Sequence, residues 1–459
     1  MEHNREDIAI IGMGFVGVTL GTVLANAGYR VVGYDLRTDV SDMLNRGETP
    51  FHEQGLSEAI AAAVNQSLLR CTSDPANCAA RNYVICVGTP VDGANLPLLQ
   101  PLEQACEHVS NLVQPGDLVI LRSTVPPGVT RSVALRILES GSSLRGGVDF
   151  DLAFAPERTA EGKALRELRE LPQVVGGLTG RASRRAAEVF SRVTDKIIEV
   201  GSLETAELVK TIDNTYRDCR FAYANEIAAI CEACGVDALE AISAANLDYA
   251  RNNVPMPSPG VGGPCLTKDP YLLASAALAA GYAPQLVQTS RRVNAGVPLR
   301  IAHRLHGHLS ALGKEPTESC VFVMGFAFKG VPETSDTRGS CAVALVRELV
   351  KLGYRVRGHD PVAPSADITA AGADPHELPQ GFAGADAAAI MNNHPSYSRL
   401  PLGSLLSTMR TPAIFFDGWR AYDRRKVRMP DNVFYLGTGY DCVVRTPELA
   451  IAQSEVTLA

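Results

Sequence analysis

The chain has 459 residues, of which 46% are hydrophobic and 20% charged, which excludes a mostly disordered protein and predicts two to four domains. Its 43 basic and 50 acidic side chains leave a net charge of −7, which argues against a general nucleic-acid-binding protein. The longest apolar stretch, near residues 272–280, is far shorter than the roughly 20 residues that span a bilayer. The polar amino terminus lacks the pattern of a signal peptide, so we expect a cytoplasmic protein without a membrane span.

The first 200 residues alternate between short apolar segments and helical segments. Residues 8–11 predict a strand, a glycine-rich turn and a helix follow, and residues 30–34 predict the next strand. Strands that alternate with helices are typical of a parallel sheet with helices on both faces. Further strands are predicted at residues 83–87, 118–122 and 152–155.

The turn after the first strand has the spacing of a dinucleotide-binding site. Gly12 makes the tight turn, Gly14 lets the backbone approach a pyrophosphate, and Gly17 lets helix and strand pack closely. Asp35 ends the second strand, where a carboxylate can accept hydrogen bonds from a ribose and repel a 2′-phosphate. The pattern predicts NAD rather than NADP, although Arg37 is placed to pair with such a phosphate. A turn with only a structural role is the alternative.

The middle of the chain differs from the first part. Residues 203–234 lack glycine and proline and predict one long helix that ends at Gly235. A loop at residues 252–264 carries four prolines and three glycines, and a second strand–helix–strand unit is predicted over residues 321–358. The predicted fold class is therefore α/β, with two doubly wound Rossmann-like domains joined by a central helical domain that contains the long helix. The predicted domains are residues 1–200, 201–312 and 313–459.

The 11 cysteines are scattered from Cys71 to Cys442 without a disulfide spacing, so most are expected to be reduced and buried. Cys265 differs from the others because a glycine-rich loop precedes it and Lys268 and Asp269 follow it. A backbone that can approach a ligand and a nearby cation that favours the thiolate are what a nucleophilic thiol needs. One more buried small residue is the alternative interpretation.

Two further pairs of residues have spacings that suit catalysis. Lys210 and Asn214 are four residues apart on the predicted long helix and therefore share one face, which a solvated helix would also explain. Glu157 and Glu161 are also four residues apart. They are either a carboxylate pair for acid–base chemistry or ordinary surface charge.

Two patterns that suggest a metal or redox site are rejected. Cys231 and Cys234 lie in the long helix without a second cysteine pair. His303, His306 and His308 have no neighbouring cysteine or carboxylate in the sequence, and a solvated helix face explains them better. We therefore expect no metal.

Taken together in chain order, these motifs resemble the nucleotide-sugar 6-dehydrogenases, a family that includes UDP-glucose, GDP-mannose and UDP-N-acetylhexosamine dehydrogenases. The resemblance covers the chain from about residue 8 to 440. The matching segments are residues 11–17, 88–90, 123–128, 155–162, 207–217, 225–226, 257–269 and 328–338.

The resemblance implies a four-electron oxidation of a sugar C6 alcohol to the carboxylate, with a UDP-sugar as substrate and two NAD used in turn. Cys265 matches the family's nucleophile and would form a thiohemiacetal and then a thioester. Lys210 would stabilise the developing oxyanion, and Asn214 would hold that oxygen or a water. Asp269 and Glu157 match carboxylates that handle protons and the hydrolytic water, and the sequence leaves open which does which.

The resemblance also implies the binding residues, with NAD in the first domain and the nucleotide sugar in the last. Thr124 would in addition place the hydrolytic water. The implied NAD contacts are Gly12, Gly14, Phe15, Val16, Gly17, Asp35, Thr89, Thr124, Glu161, Lys268 and Arg338. The implied substrate contacts are Glu157, Lys210, Asn214, Arg251, Ser258, Gly260, Gly262 and Lys329.

A homodimer or larger assembly is implied by the resemblance as well. In relatives, an arginine like Arg251 reaches across from a second subunit, and the long helix forms the subunit contact. The uronic acids that such enzymes make are expected to serve polysaccharide biosynthesis.

The choice of sugar depends on smaller features. Residues 249–251 and 168–177 look more like the N-acetylhexosamine branch, with N-acetylmannosamine or N-acetylglucosamine as the sugar, whereas Thr267 stands where many members carry proline. UDP-glucose is the alternative, followed by GDP-mannose and by a two-electron hydroxyacid dehydrogenase. The two-electron enzyme would need neither Cys265 nor the second α/β unit. A silent nucleotide-sugar binder would be suspected only if catalytic positions such as Lys210 were missing.

Overall fold

The computed structural model describes residues 5–423 and 426–441, which fall into two compact units. The first unit comprises the residues up to Asp218 together with Pro264–Thr289 and Pro332–Ser335. The second comprises Cys219–Gly263, Ser290–Val331 and the residues from Asp336 onward. The division into three domains at residues 200 and 312 stays a prediction.

The first unit is built on an eight-stranded sheet with the strand order β3-β2-β1-β4-β5-β6-β7-β8. All neighbouring strands are parallel except β6 and β7. The sheet is buried on both faces: along β1, Ile8 and Ile10 pack into one core, and Ala9 and Ile11 into the other. The strands are β1 (Glu6–Ile11), β2 (Val31–Tyr34), β3 (Leu69–Thr72), β4 (Ala80–Ile85), β5 (Leu118–Leu121), β6 (Asp151–Phe154), β7 (Gln173–Gly177) and β8 (Ile197–Val200).

Helices of the first 200 residues connect these strands, as expected for parallel neighbours, which need crossover connections. They are α1 (Phe15–Asn26), α2 (Thr38–Asn45), α3 (Leu56–Asn65), α4 (Gln100–Ser110), α5 (Leu135–Ser142), α6 (Ala164–Glu170) and α7 (Gly180–Ser191).

The predicted long helix is present as α8 (Leu203–Cys234). Gly235 follows with φ +69°, a left-handed conformation that suits glycine and ends the helix. The first half of α8 belongs to the first unit and the second half to the second unit. The next helices are α9 (Ala238–Asn246), α10 (Asp269–Ala279) and α11 (Gln285–Ala311).

The second unit is built on a seven-stranded sheet with the order β11-β10-β9-β12-β13-β14-β15, in which only β14 and β15 pair antiparallel. Along β9, Val321 and Val323 face one core, and Phe322 and Met324 face the other. The strands are β9 (Cys320–Met324), β10 (Arg355–His359), β11 (Asp374–Pro375), β12 (Ala387–Ile390), β13 (Ala413–Asp417), β14 (Val433–Gly437) and β15 (Tyr440–Asp441), and the helices are α12 (Cys341–Lys351), α13 (Ser365–Ala371), α14 (Leu378–Phe382) and α15 (Leu402–Leu406).

The predicted fold class is confirmed, since both sheets are mainly parallel and a long helix lies between them in the chain. The predicted strands are also present, with ends that differ by one to three residues. Strand ends are set by pairing with neighbours, which local sequence does not specify.

Candidate active site

The glycine-rich turn between β1 and α1 has the geometry that its spacing predicts. Gly12 has φ +96°, and a Cβ atom on Gly17 would lie only 1.9 Å from the carbonyl oxygen of Gly12. A Cβ atom on Gly14 would meet nothing within 4 Å, so the backbone is open there. No side chain caps α1, which begins at Phe15. The free N–H groups of its first turn can therefore receive an anionic group.

Asp35 follows β2 directly and is bound to the glycine-rich turn. Its carboxylate accepts hydrogen bonds from the Met13 N–H at 2.8 Å and from the Arg37 N–H at 3.0 Å. The Arg37 guanidinium donates to Asp39 at 2.5 and 3.2 Å, so its charge is already paired. Both side chains of this pair are exposed, and exposed ion pairs are weak, so the choice of NAD over NADP stays a prediction.

Thr89 and Thr124 lie beyond the carboxyl ends of β4 and β5, which are neighbours in the sheet. Thr89 is buried, and its hydroxyl donates a hydrogen bond to the carbonyl oxygen of Thr124. Two of the predicted NAD positions are thus joined at the sheet edge where ligands of open α/β folds bind.

Asp269 connects the loop of Cys265 to the long helix. It is fully buried at the start of α10, and its backbone N–H donates to the carbonyl oxygen of Cys265 at 2.8 Å. Its carboxylate accepts hydrogen bonds from Asn214 Nδ2 at 2.5 Å and from Lys268 Nζ at 2.7 Å. Lys210, one turn before Asn214, is also buried. The solvated-face interpretation of these helix residues is therefore wrong.

The Cys265 thiol can be reached by solvent, although protein atoms surround it on most sides. The loss of bulk water around it raises the pKa of the Cys265 thiol, and the carboxylates of Asp269 and Glu161 add to this. Lys210 and Lys268 act in the opposite direction but do not outweigh burial. The predicted cation is present, yet its expected effect is too small, and Cys265 is a thiol at neutral pH in the unliganded protein.

Glu157 and Glu161, the two carboxylates of the loop after β6, have different surroundings. Glu157 is buried, and its Oε2 forms an ion pair with Arg122 at 2.6 Å. Burial alone would raise the pKa of Glu157, but Arg122, the Thr159 N–H and Lys210 together hold it below its usual range. Glu161 is half-buried and accepts a hydrogen bond from the Thr334 hydroxyl at 3.3 Å. Glu157 is therefore not ordinary surface charge, and a role of the two glutamates in acid–base chemistry stays a prediction.

The remaining predicted substrate residues belong to the second unit. The Ser258 N–H donates to Asn225 Oδ1 at 3.0 Å, and its hydroxyl donates to the carbonyl oxygen of Gly260 at 2.9 Å. A Cβ atom on Gly260 would lie 2.7 Å from Cys341 Sγ, and one on Gly262 would lie 2.7 Å from the carbonyl oxygen of Gly339. These glycines are thus required for packing around the loop, whether or not a ligand binds there.

Three predicted cationic contacts also lie in the second unit. Lys329 Nζ lies 5.2 Å from the ring centroid of Phe328, and the Arg251 guanidinium lies 4.7 Å from that of Tyr249. Arg338 is exposed and forms an ion pair with Asp336 at 2.6 Å. The structure thus brings Thr124, Glu157, Lys210, Asn214, Cys265 and Asp269 into the first unit, and Arg251, Ser258, Gly260, Gly262, Lys329 and Arg338 into the second.

Comparisons with known proteins show the family of the chain. The NAD binding domain of the UDP-glucose/GDP-mannose dehydrogenase family matches residues 6–194, its central domain residues 204–296, and its UDP binding domain residues 322–424. The chain belongs to this family. It is an oxidoreductase with an NAD binding domain and a UDP binding domain, which confirms the predicted family and enzyme class.

Individual relatives match nearly the whole chain. UDP-N-acetyl-D-mannosamine dehydrogenase of Pyrococcus horikoshii is 35% identical over 412 residues, which are 90% of this chain and 94% of that protein. The solved structure of UDP-D-ManNAc dehydrogenase from the same organism has a TM-score of 0.86 and 33% identity, and covers 94% of this chain and 99% of its own. The structure of a UDP-glucose dehydrogenase from Pyrobaculum islandicum has a TM-score of 0.83 and 27% identity, and covers 96% and 99%.

Two buried charged residues near the family motifs, Arg122 and Glu53, were missed by sequence reasoning. Arg122 holds Glu157. Glu207, which belongs to the motif at residues 207–217, is also buried and accepts hydrogen bonds from Gly128 and Thr130. Glu53 accepts hydrogen bonds from backbone N–H groups at the start of α6. The signal that could have found Arg122 is its position directly after the apolar strand β5, where a buried charge needs a partner.

The rejected metal patterns contain no cluster of three or more ligands among residues 5–423 and 426–441. His303 is exposed, as a solvated helix face predicts, but His306 and His308 are half-buried and have partners, which corrects the interpretation for these two. His306 Nδ1 lies 2.9 Å from the Tyr354 hydroxyl, and His308 Nε2 lies 3.0 Å from an Asp441 carboxylate oxygen. Within the same part of the chain, no helix has the length and apolar composition to cross a membrane. Cys442 lies outside the described residues.

Proposed function

We propose that this chain oxidises the C6 hydroxymethyl group of a UDP-N-acetylhexosamine, with N-acetylmannosamine or N-acetylglucosamine as the sugar, to the carboxylate. The observation that carries the proposal is the hydrogen-bonded cluster in which Asn214 and Lys268 hold Asp269 beside the loop of Cys265. The name and the 35% identity of the Pyrococcus horikoshii relative support the N-acetylhexosamine as substrate.

The residues of the first unit suit NAD as cofactor. The open backbone at Gly14 and the uncapped start of α1 fit a pyrophosphate, and Asp35 suits a ribose hydroxyl and repels a 2′-phosphate. When bound, NAD accepts a hydride in each of the two oxidations. Its other predicted contacts, Thr89, Thr124, Glu161, Lys268 and Arg338, stay predictions.

Cys265 accounts for the passage from aldehyde to acid. The first oxidation converts the alcohol to an aldehyde, and addition of the thiol gives a thiohemiacetal. The thiohemiacetal would then lose a second hydride to NAD and its hydroxyl proton to a base, which gives a thioester. Water cleaves the thioester to the acid and the free thiol. Because the pKa of the Cys265 thiol is raised, the thiol proton leaves as the C–S bond forms rather than beforehand.

Lys210 and Asn214 suit the oxygen that develops negative charge in these steps. A buried ammonium group stabilises an oxyanion more strongly than a solvated one does, because little water screens it. Asn214 is already oriented by its hydrogen bond to Asp269. Asp269 and Glu157 remain the candidates for handling protons and the hydrolytic water.

A homodimer is part of the proposal, with α8 as the subunit contact. Four large apolar side chains of this helix are 52–62% exposed and share one face because they are four or seven residues apart. Large exposed apolar side chains on one helix face are typical of a surface that a partner covers. The side chains are Ile212, Tyr216, Tyr223 and Ile230. Light scattering of Tyr223→Asp tests the contact, since a dimer should dissociate. Cytoplasmic location stays a prediction.

The substrate is tested with a panel of UDP-ManNAc, UDP-GlcNAc, UDP-GalNAc, UDP-glucose and GDP-mannose, each with NAD and with NADP, followed by NADH or NADPH absorbance. We expect the highest kcat/KM with a UDP-N-acetylhexosamine and NAD, and two NADH per sugar oxidised. UDP-glucose is the second candidate, because the Pyrobaculum islandicum structure with that name has a TM-score of 0.83. One NADH per sugar would contradict the four-electron reaction.

A further inference from the structure

Arg122 is a charged residue in the interior of the first unit. It directly follows β5, and only 2% of its surface is exposed. Its guanidinium donates to Glu157 Oε2 from Nη2 at 2.6 Å and from Nε at 3.1 Å. Nη1 donates to the carbonyl oxygen of Ala155 and to Gln173 Oε1, both at 3.1 Å. A buried arginine with this many directed bonds has one defined position.

Glu157 is held from its other side as well. Its Oε1 accepts the backbone N–H of Thr159 at 2.6 Å, so each carboxylate oxygen has a donor. Gln173, which receives one bond from Arg122, is itself fixed because its Nε2 donates to the carbonyl oxygen of Val174 at 2.8 Å. The carboxylate therefore cannot turn without breaking its bonds to the Arg122 guanidinium and to the Thr159 N–H.

The charges alternate from this ion pair toward the reacting sulfur. Lys210 lies near enough to lower the pKa of both Glu157 and Cys265. Lys210 is itself buried. Arg122 balances the negative charge of Glu157 on the other side.

We propose that Arg122 is a positioning residue for the oxidation: its guanidinium holds the carboxylate of Glu157 in one place and orientation, as a group that handles protons in the reaction requires. The inference rests on the proposed role of Glu157. A purely structural Arg122 would stabilise the fold without changing how activity depends on pH.

The test compares the pH profiles of kcat for the wild type, Arg122→Met, Arg122→Lys and Gln173→Leu, with the nucleotide sugar and NAD saturating. Without the guanidinium charge, Glu157 ionises less readily, so activity should fail at a higher pH on the acid side. We expect this limb to move up by about 1–3 pH units in Arg122→Met. The acid limb should move less in Arg122→Lys and Gln173→Leu, because both variants keep a positive charge beside Glu157. These two variants also preserve a test if Arg122→Met does not fold.

A matched control is available at the other end of β6. Arg185 Nη1 donates to the buried Asp151 Oδ2 at 2.8 Å, in an ion pair that Arg181 shares. Arg185→Lys should lower the melting temperature without moving the pH profile. A profile that moves as far in Arg185→Lys as in Arg122→Lys would overturn the proposal, because the shift would then follow from lost stability.

A double variant shows whether Arg122 acts through Glu157. Arg122→Lys should move the profile in the wild-type background but add no shift to Glu157→Gln. An equal shift in both backgrounds, or an unchanged profile in Arg122→Met and Arg122→Lys, would overturn the role proposed for Arg122. The proposed function of the chain would not be affected by that result. A chain that oxidises none of the five nucleotide sugars would overturn the proposed function together with the role of Arg122.

Discussion

The two sheets of the molecule begin with the same strand order, but the first helix after each starts differently. In both, the first strand lies between the second and the fourth, and a glycine in left-handed conformation follows it: Gly12 with φ +96° and Gly325 with φ +93°. In the first sheet, α1 begins almost at once and no side chain caps it. In the second, α12 begins only at Cys341, and the Ser340 side chain accepts the N–H of Ala342 at 3.2 Å.

An aspartate directly follows the second strand of each sheet and binds the glycine turn. Asp35 accepts the Met13 N–H at 2.8 Å, and Asp360 accepts the Ala327 N–H, also at 2.8 Å. The carboxylate thus steadies the glycine turn in both sheets. Of the two helices that follow the first strands, α1 starts without a side-chain cap and α12 with one. A repeated fold therefore does not imply a repeated mode of ligand binding.

The largest expected effect concerns the reacting thiol. Cys265→Ser should abolish acid production but leave NAD binding unchanged, because an alcohol at this position is a far weaker nucleophile than a thiol. Activity is measured by NADH absorbance and acid release, and NAD binding by calorimetry. The control is the variant Cys341→Ser in the second unit. Burial raises the pKa of Cys341 to about 12, so its sulfur is unreactive and activity should persist. Full acid production by Cys265→Ser would contradict a covalent intermediate.

The next effect tests the open helix start of the first sheet. Gly14→Ala places a Cβ atom in space that is empty within 4 Å, so the fold should keep its stability. The same atom would occupy the surface that a pyrophosphate approaches, and we expect NAD to bind at least about tenfold more weakly, or about 1.4 kcal/mol. Calorimetric titration with NAD measures this. Unchanged affinity would show that the dinucleotide does not use this turn.

The capped helix of the second sheet should respond in the opposite way. Ser340→Ala removes the side-chain acceptor at the start of α12 and should cost about 1 kcal/mol of stability. Urea denaturation measures that loss, and the affinity for NAD should stay at the wild-type value. A large loss of NAD affinity in this variant would break the contrast between the two helices.

The smallest effect compares one buried carboxylate from each unit. The pKa of Glu157 is lowered in the folded state, so its stabilisation is present above its unfolded pKa of about 4.3 and is lost as pH falls. Burial raises the pKa of Asp417, despite hydrogen bonds from neutral donors, so its stabilisation is present below its unfolded pKa of about 3.9 and is lost as pH rises. The stability difference between wild type and Glu157→Gln should therefore grow from pH 4 to pH 7. The difference between wild type and Asp417→Asn should shrink, and thermal denaturation at both pH values measures each. Changes of the same sign would contradict this assignment.

Much of the fold could be predicted because its signals are local. The helix at residues 203–234 was correctly bounded, since no glycine or proline interrupts it and Gly235 follows. Strand ends were less well predicted: the strand expected at residues 83–87 is Ala80–Ile85. Its limits depend on pairing with β1 and β5, which are distant in sequence. The candidate site residues were named from motif order, and their roles in binding and catalysis remain predictions.

The sequence by itself determined the fold class, the NAD-type turn and the distinction of Cys265 from the other cysteines. Each of these depends on spacing, on glycine and proline, or on hydrophobic period, which act within a few residues. Only the tertiary structure decided that Glu157 is paired with Arg122, that burial raises the pKa of the Cys265 thiol, and that Lys210 lies inside rather than in solvent. These properties depend on desolvation and on charges brought from far along the chain, and neither is encoded in the residues next to the group concerned.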